Sequence, residues 1–114
     1  MENHLYISTT FWPDGGKISE VVKTCQEVGI DQLELGSNHC HEARLSGHEV
    51  FSKGSFLVHN YFPAPEVSFV LNLASGNEDV RRRSVEQAFR ALEFCEAIGS
   101  RLYTFHPGFL TDPD

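Results

Sequence analysis

The stretch that most limits what this chain can become runs from Phe56 to Phe109. It begins Phe56-Leu57-Val58-His59-Asn60-Tyr61-Phe62-Pro63 and ends Arg101-Leu102-Tyr103-Thr104-Phe105-His106-Pro107-Gly108-Phe109. Each end reads as a short strand that finishes on a histidine before a turn, and one long helical pattern lies between them. Strand, helix and strand in that order fold as a right-handed parallel crossover. Side chains alternate along a strand, so Leu57 and His59 share one face, as do Leu102, Thr104 and His106. Neighbouring strands lie about 4.8 Å apart. The pattern therefore predicts His59 and His106 at equivalent depth on neighbouring strands. Two such histidines can reach one metal ion, at nitrogen–zinc distances of roughly 2.0–2.1 Å. Either histidine alone is an ordinary strand-end residue satisfied by water or backbone; the pair is what suggests a site.

The same alternation extends upstream. Leu5 to Thr9 reads as a first strand, with Phe11 and Trp12 in the loop that follows it. Ile18, Val21, Val22 and Cys25 recur at helical spacing, and Gly29 suits the left-handed residue that ends a helix. Gln32-Leu33-Glu34-Leu35 is the second strand and Phe56 to Tyr61 the third. Residues 36–54 read poorly, with room for a short helix. Ser75-Gly76-Asn77-Glu78 matches a capping box, with Asn77 as a rival cap. Val85, Ala88, Phe89, Leu92 and Cys95 then mark the expected buried face of the long helix, and Gly99 closes it.

Alternating strands and helices imply a parallel sheet. The facing pattern narrows the choice. Leu5, Ile7, Leu33, Leu35, Phe56, Val58, Tyr103 and Phe105 form one apolar surface, suited to lie under helices. Tyr6, Ser8, Glu34, His59, Thr104 and His106 form the other. A doubly wound sheet buries both faces and wants apolar residues on both. A polar inner row suits a barrel, whose C-terminal mouth carries the chemistry. The expected fold is thus α/β, a partial TIM barrel of about four parallel strands with their helices, with residues 1–114 as a single domain.

Composition bounds the function classes. A net charge of −7 over 114 residues argues against a general nucleic-acid binder, which needs clustered Lys and Arg. No apolar run approaches the roughly 20 residues of a membrane span. Met1-Glu2-Asn3-His4 lacks the basic and apolar regions of a signal peptide. Cys25, Cys40 and Cys95 make an odd count without paired spacing, which suits reduced thiols in a cytoplasmic protein.

Four quoted segments carry a family resemblance: Val58-His59, Val70-Leu71-Asn72-Leu73-Ala74-Ser75, Cys95-Glu96-Ala97-Ile98-Gly99 and Phe105-His106-Pro107-Gly108. In this order they resemble the xylose isomerase-like TIM barrel superfamily, which includes sugar phosphate isomerases and epimerases and the type IV apurinic endonucleases. The likeness covers the half of the chain from Leu57 to Gly108, and Ile18 to Leu35 more loosely. It implies a divalent-metal enzyme acting at the barrel mouth, with zinc or manganese as the first candidates and magnesium as a further one. In the endonuclease branch the histidines matching His59 and His106 are metal ligands; in the isomerase branch such positions more often contact substrate. The resemblance implies eight strands in a complete barrel, the later ones bringing the carboxylate ligands and the general base. The sequence printed here supplies four, so the expectation is either a truncated reading or a half barrel that associates through its open edges.

The expected activity is metal-dependent isomerisation or epimerisation of a sugar or sugar phosphate, by proton transfer beside a carbonyl. Phosphodiester hydrolysis at abasic DNA is the rival enzyme reading, and a non-catalytic half barrel that binds a partner or ligand is the third. Candidate substrate-binding residues are Glu34, Asn60, Tyr61 and Trp12; candidate metal ligands are His59 and His106. Each substrate-binding candidate has a plainer alternative: a mouth carboxylate in water for Glu34, loop residues for Asn60 and Tyr61, core packing for Trp12. His39-Cys40-His41 matches no zinc framework. Arg81-Arg82-Arg83 reads as a solvated helix face, with i,i+4 pairs available from Glu78 to Arg82, Asp79 to Arg83 and Arg82 to Glu86.

Overall fold

Four parallel strands lie side by side in the order in which the chain makes them. They are β1 (Ile7–Ser8), β2 (Gln32–Leu35), β3 (Ser55–His59) and β4 (Tyr103–Thr104). Helix α1 (Ile18–Glu27) joins β1 to β2, and α2 (Glu78–Ile98) joins β3 to β4. Two short 3-10 turns, Leu45–Gly47 and Glu49–Ser52, fill the connection from β2 to β3 that the sequence left open. This is a computed structural model, and it describes residues 4–112. The predicted first strand is longer than the paired segment, because only Ile7 and Ser8 find partners on β2.

The pleat sorts the sheet as the alternation requires. Leu33, Leu35, Phe56 and Val58 are buried, and they pack with Ile18, Val21, Val22 and Cys25 of α1 and Ala91, Phe94 and Cys95 of α2. Phe51 and Phe62 close this core with edge-to-face contacts: Phe51 to Phe94 at 5.3 Å, Phe51 to Phe56 at 5.4 Å and Phe62 to Phe94 at 5.1 Å between ring centroids. Such pairs add about 0.5–1.5 kcal/mol each beyond their buried area. Ser8, Glu34, Leu57, His59 and Thr104 point to the other face and keep access to solvent. The molecule is thus an α/β sheet covered on one side, open on the other and not closed on itself, consistent with part of a TIM barrel.

One expectation about the helices needs correction, and one choice left open is resolved. Helix α2 buries Ser84, Gln87, Ala91, Phe94 and Cys95, while Val85, Phe89 and Leu92 are exposed. The physical reason is polar. Ser84 Oγ donates to Val80 O (2.7 Å) and accepts from Asn72 N (2.8 Å), while Gln87 Nε2 donates to Tyr61 O (3.2 Å) and Pro63 O (2.7 Å). The loop between β3 and α2 needs those partners, and they turn the helix toward it. At the helix start the cap is Asn77, whose side chain accepts from Asp79 N and Val80 N. Ser75 instead accepts from Asn77 N. Of the expected ion pairs, Arg82–Glu86 forms at 3.0 Å; Arg82 also takes Asp79 at 2.5 Å, and Arg83 lies over the Phe69 ring.

The apolar surface of the sheet also has bare margins. Leu5 and Ile7 on the β1 side and Phe105 on the β4 side are exposed, because no helix of the described chain lies outside either edge strand. No helix among the described residues is long and apolar enough to cross a membrane. Cys25, Cys40 and Cys95 are free thiols, and burial pushes the Cys25 and Cys95 pKa values up, which keeps them protonated.

Candidate metal centre

His59 ends β3 and His106 follows β4 by two residues, so both arrive at the C-terminal rim. Their rings meet edge to face with centroids 5.3 Å apart. The register differs from the expectation of equal depth. His59 pairs with Thr104, which places His106 one side-chain pair further along. The chain leaves the strand after Thr104 and turns so that the second imidazole comes back to the first. Thr104, on the same face, holds His59 Nδ1 at 2.8 Å through its hydroxyl. With Nδ1 engaged, Nε2 of His59 keeps its lone pair for a ligand when the proton sits on Nδ1; metal-bound histidines commonly use their second nitrogen this way.

Asn60 fixes the backbone around the pair. It is buried, adopts a left-handed conformation (φ 49°), and its Oδ1 accepts from His106 N at 3.4 Å. Asn60 N donates to Thr104 O (2.8 Å), and Asn60 O accepts from the Tyr103 hydroxyl (2.9 Å). Burial pushes the Tyr103 pKa up to about 12, so that hydroxyl remains a donor at neutral pH. Asn60 is therefore a clip between β3 and the His106 turn, with its N, O and Oδ1 already engaged by protein.

The other candidates are placed as follows. Glu34 is half-buried on the open face, level with Ser8 and Leu57, one side-chain pair deeper than His59. The Tyr61 hydroxyl accepts from Leu71 N (2.9 Å), and its ring lines a cavity of about 480 Å³ with Gly36, Ser37, Asn38, His39 and Phe69. Trp12 packs against the core and lies over Gly16, where a Cβ would strike its ring. His39 and His41 separate: His41 Nδ1 donates to Ala64 O (2.9 Å), while His39 is buried between Gly16 O (3.2 Å) and Thr9 Oγ1 (2.8 Å).

The sequence reading missed Asn72. Its side chain is fully buried and four-fold bonded, joining the loop before α2 to the segment after His106. The signal available was a polar residue set in the apolar run Val70-Leu71-Asn72-Leu73.

Imidazole nitrogen suits a transition metal as a ligand. A catalytic zinc normally takes three protein ligands. Among the described residues no group of three His, Cys, Asp or Glu side chains gathers around one point.

An open parallel sheet with two histidine rings in contact at its C-terminal rim makes this an α/β segment consistent with part of a TIM barrel. Over 40 residues, 35% of this chain, it is 48% identical to "Probable endonuclease 4" of Aquifex aeolicus (strain VF5), of which that match covers 14%. The structure of the TTHB071 protein from Thermus thermophilus, obtained by soaking with ZnCl2, shares the fold with a TM-score of 0.55 at 19% identity. That likeness covers 85% of this chain and 39% of the TTHB071 chain. The chain therefore spans well under half of either relative. No family model matches it.

Proposed function

We propose that this chain is the N-terminal, ligand-bearing part of a divalent-metal phosphodiester hydrolase barrel, with His59 and His106 as two of its metal ligands. The observation that carries this reading is the ring-to-ring approach of those histidines at the strand ends. The endonuclease name of the sequence relative moves hydrolysis ahead of sugar isomerisation, which the sequence alone placed first. A divalent cation at the pair supplies Lewis acidity toward a phosphoryl oxygen and makes an attacking water more acidic. The chain's own part is to orient the imidazoles: Thr104 holds His59 through Nδ1, and Asn60 holds the backbone of His106. The remaining ligands and the base come from outside the described residues.

The acidic balance of the chain is the observation that keeps sugar phosphate isomerisation as a second reading, because a DNA groove needs a basic surface.

Titration of the 114-residue chain with zinc tests the centre. Wild type binds one zinc, and His59→Ala or His106→Ala each weakens it at least about tenfold, as loss of one of few ligands requires. Equal binding by all three proteins ends the proposal. Zinc-loaded protein then separates the two chemistries. Binding to an abasic-site duplex that falls steeply with salt favours hydrolysis, and binding to a sugar phosphate alone favours isomerisation.

A further inference from the structure

Three residues past His106 the chain is gripped by one side chain. Asn72 Oδ1 accepts from Phe109 N at 2.9 Å, and Asn72 Nδ2 donates to Phe109 O at 3.4 Å. The carboxamide thus imitates a neighbouring strand and engages both backbone groups of Phe109. Its remaining capacity is also used: Oδ1 accepts from Ala74 N (3.1 Å), and Nδ2 donates to Asp112 Oδ1 (2.8 Å). Asp112 in turn accepts from Ser75 Oγ at 2.5 Å, and Asn72 N donates to the buried Ser84 hydroxyl of α2 at 2.8 Å.

Asn72 is 0% exposed, so its carboxamide is cut off from water even where its partners Phe109 and Asp112 are not, and a bond it failed to make would be costly. Gly108 lies tight against the same carboxamide. A Cβ there would run into Asn72 Oδ1 and Ala74, and its φ of 138° disfavours any side chain. The segment carrying His106 is therefore pinned on both sides: Asn60 Oδ1 takes His106 N before the turn, and Asn72 takes Phe109 after it. Between the pins lie only Pro107 and Gly108. The His106 ring meets His59, and the backbone on either side of it is held by Asn60 and Asn72.

We infer that Asn72 is a positioning residue for the metal pair: its carboxamide clamp on Phe109, seated against Gly108, is what brings the His106 ring to His59. This rests on the metal reading for its purpose but not for its geometry, and two readouts separate the two. Ring-to-ring NOEs between His59 and His106 in the metal-free chain report position directly. Zinc titration reports the consequence.

In wild type the NOEs are present. Asn72→Ala, measured well below its melting temperature with native circular dichroism, loses them and weakens zinc about tenfold, the low end for residues that orient a ligand. Gly108→Ala attacks the clamp from the other side and has the same effect. Asn72→Ala placed on His106→Ala leaves zinc affinity where His106→Ala alone puts it, since the clamp acts only through His106. Persistence of the NOEs in folded Asn72→Ala, or a full zinc loss still added on top of His106→Ala, overturns the clamp. A wild type with the NOEs but no histidine-dependent zinc binding overturns the metal reading and leaves the clamp standing. If Asn72→Ala does not fold, Gly108→Ala carries the same test.

Discussion

Single residues here are decided by who answers their hydrogen bonds. His39 shows this best. Gly16 O can only accept, so Nδ1 carries a proton, and a neutral His39 then presents Nε2 as the acceptor. Gly36 N donates to Thr9 Oγ1, the Thr9 hydroxyl donates to His39 Nε2, and His39 Nδ1 donates to Gly16 O. The imidazole is neutral with its proton on Nδ1. Burial lowers its pKa from the ordinary 6.5, against smaller upward pulls from the Gly16 bond and the Glu42 carboxylate. Below that value the unfolded chain takes the proton more readily than the folded one. The stability this neutral histidine contributes is therefore complete above pH 6.5 and is lost as pH falls through the lowered pKa of the folded state. Urea unfolding at a series of pH values checks this: wild type weakens below pH 6.5, and His39→Ala is less stable at neutral pH but has a flatter profile. An equally steep acid loss in both proteins contradicts it. The His39-Cys40-His41 run thus holds a structural histidine tying β1 to the loop after β2, not a metal cluster.

At the scale of elements, α2 departs in part from what hydrophobicity suggests. Its buried side is anchored by Gln87 and Ser84, and its apolar stripe of Val85, Phe89 and Leu92 faces outward. Gln87→Ala leaves the carbonyls of Tyr61 and Pro63 without their donor and costs about 1–3 kcal/mol. Phe89→Ala removes a ring that is 62% exposed and costs no more than about 0.5 kcal/mol. Denaturant midpoints of the two variants give the order, and a larger loss for Phe89→Ala defeats this account of the helix. The ends of α2 were legible in the sequence because capping is local. Asn77 needs only the next three residues to act as a cap, and Gly99 needs only its own φ of 73°. The buried face was not legible, because it depends on which loop carbonyls lie opposite, and those are set by residues more than twenty positions away.

For the molecule as a whole, the two edge strands matter most. Among the described residues both β1 and β4 have a strand neighbour on one side only, and exposed Leu5, Ile7, Val85, Phe89, Leu92 and Phe105 lie on the same covered side or its margins. Open edges beside apolar surface favour association. Sedimentation velocity across a concentration series therefore shows self-association of the isolated chain, and Ile7→Lys or Phe89→Glu shifts it toward monomer. A monomer at every concentration, unchanged by either variant, contradicts this.

The sequence by itself determined the order of elements, the parallel sheet, the split into a greasy and a wet face, and the arrival of His59 and His106 at one rim. Those follow from periods of two and 3.6 residues and from local turn chemistry, which need no knowledge of distant contacts. Only the tertiary structure decided that Thr104, not His106, sits opposite His59, that Asn60 bonds His106 N and Asn72 bonds Phe109, and that α2 buries Gln87 while Phe89 stays exposed. Each of these turns on a buried polar group finding a partner remote in the chain. The free energy of leaving such a group unpaired is comparable to that of exposing an apolar side chain, so periodicity alone cannot rank the two.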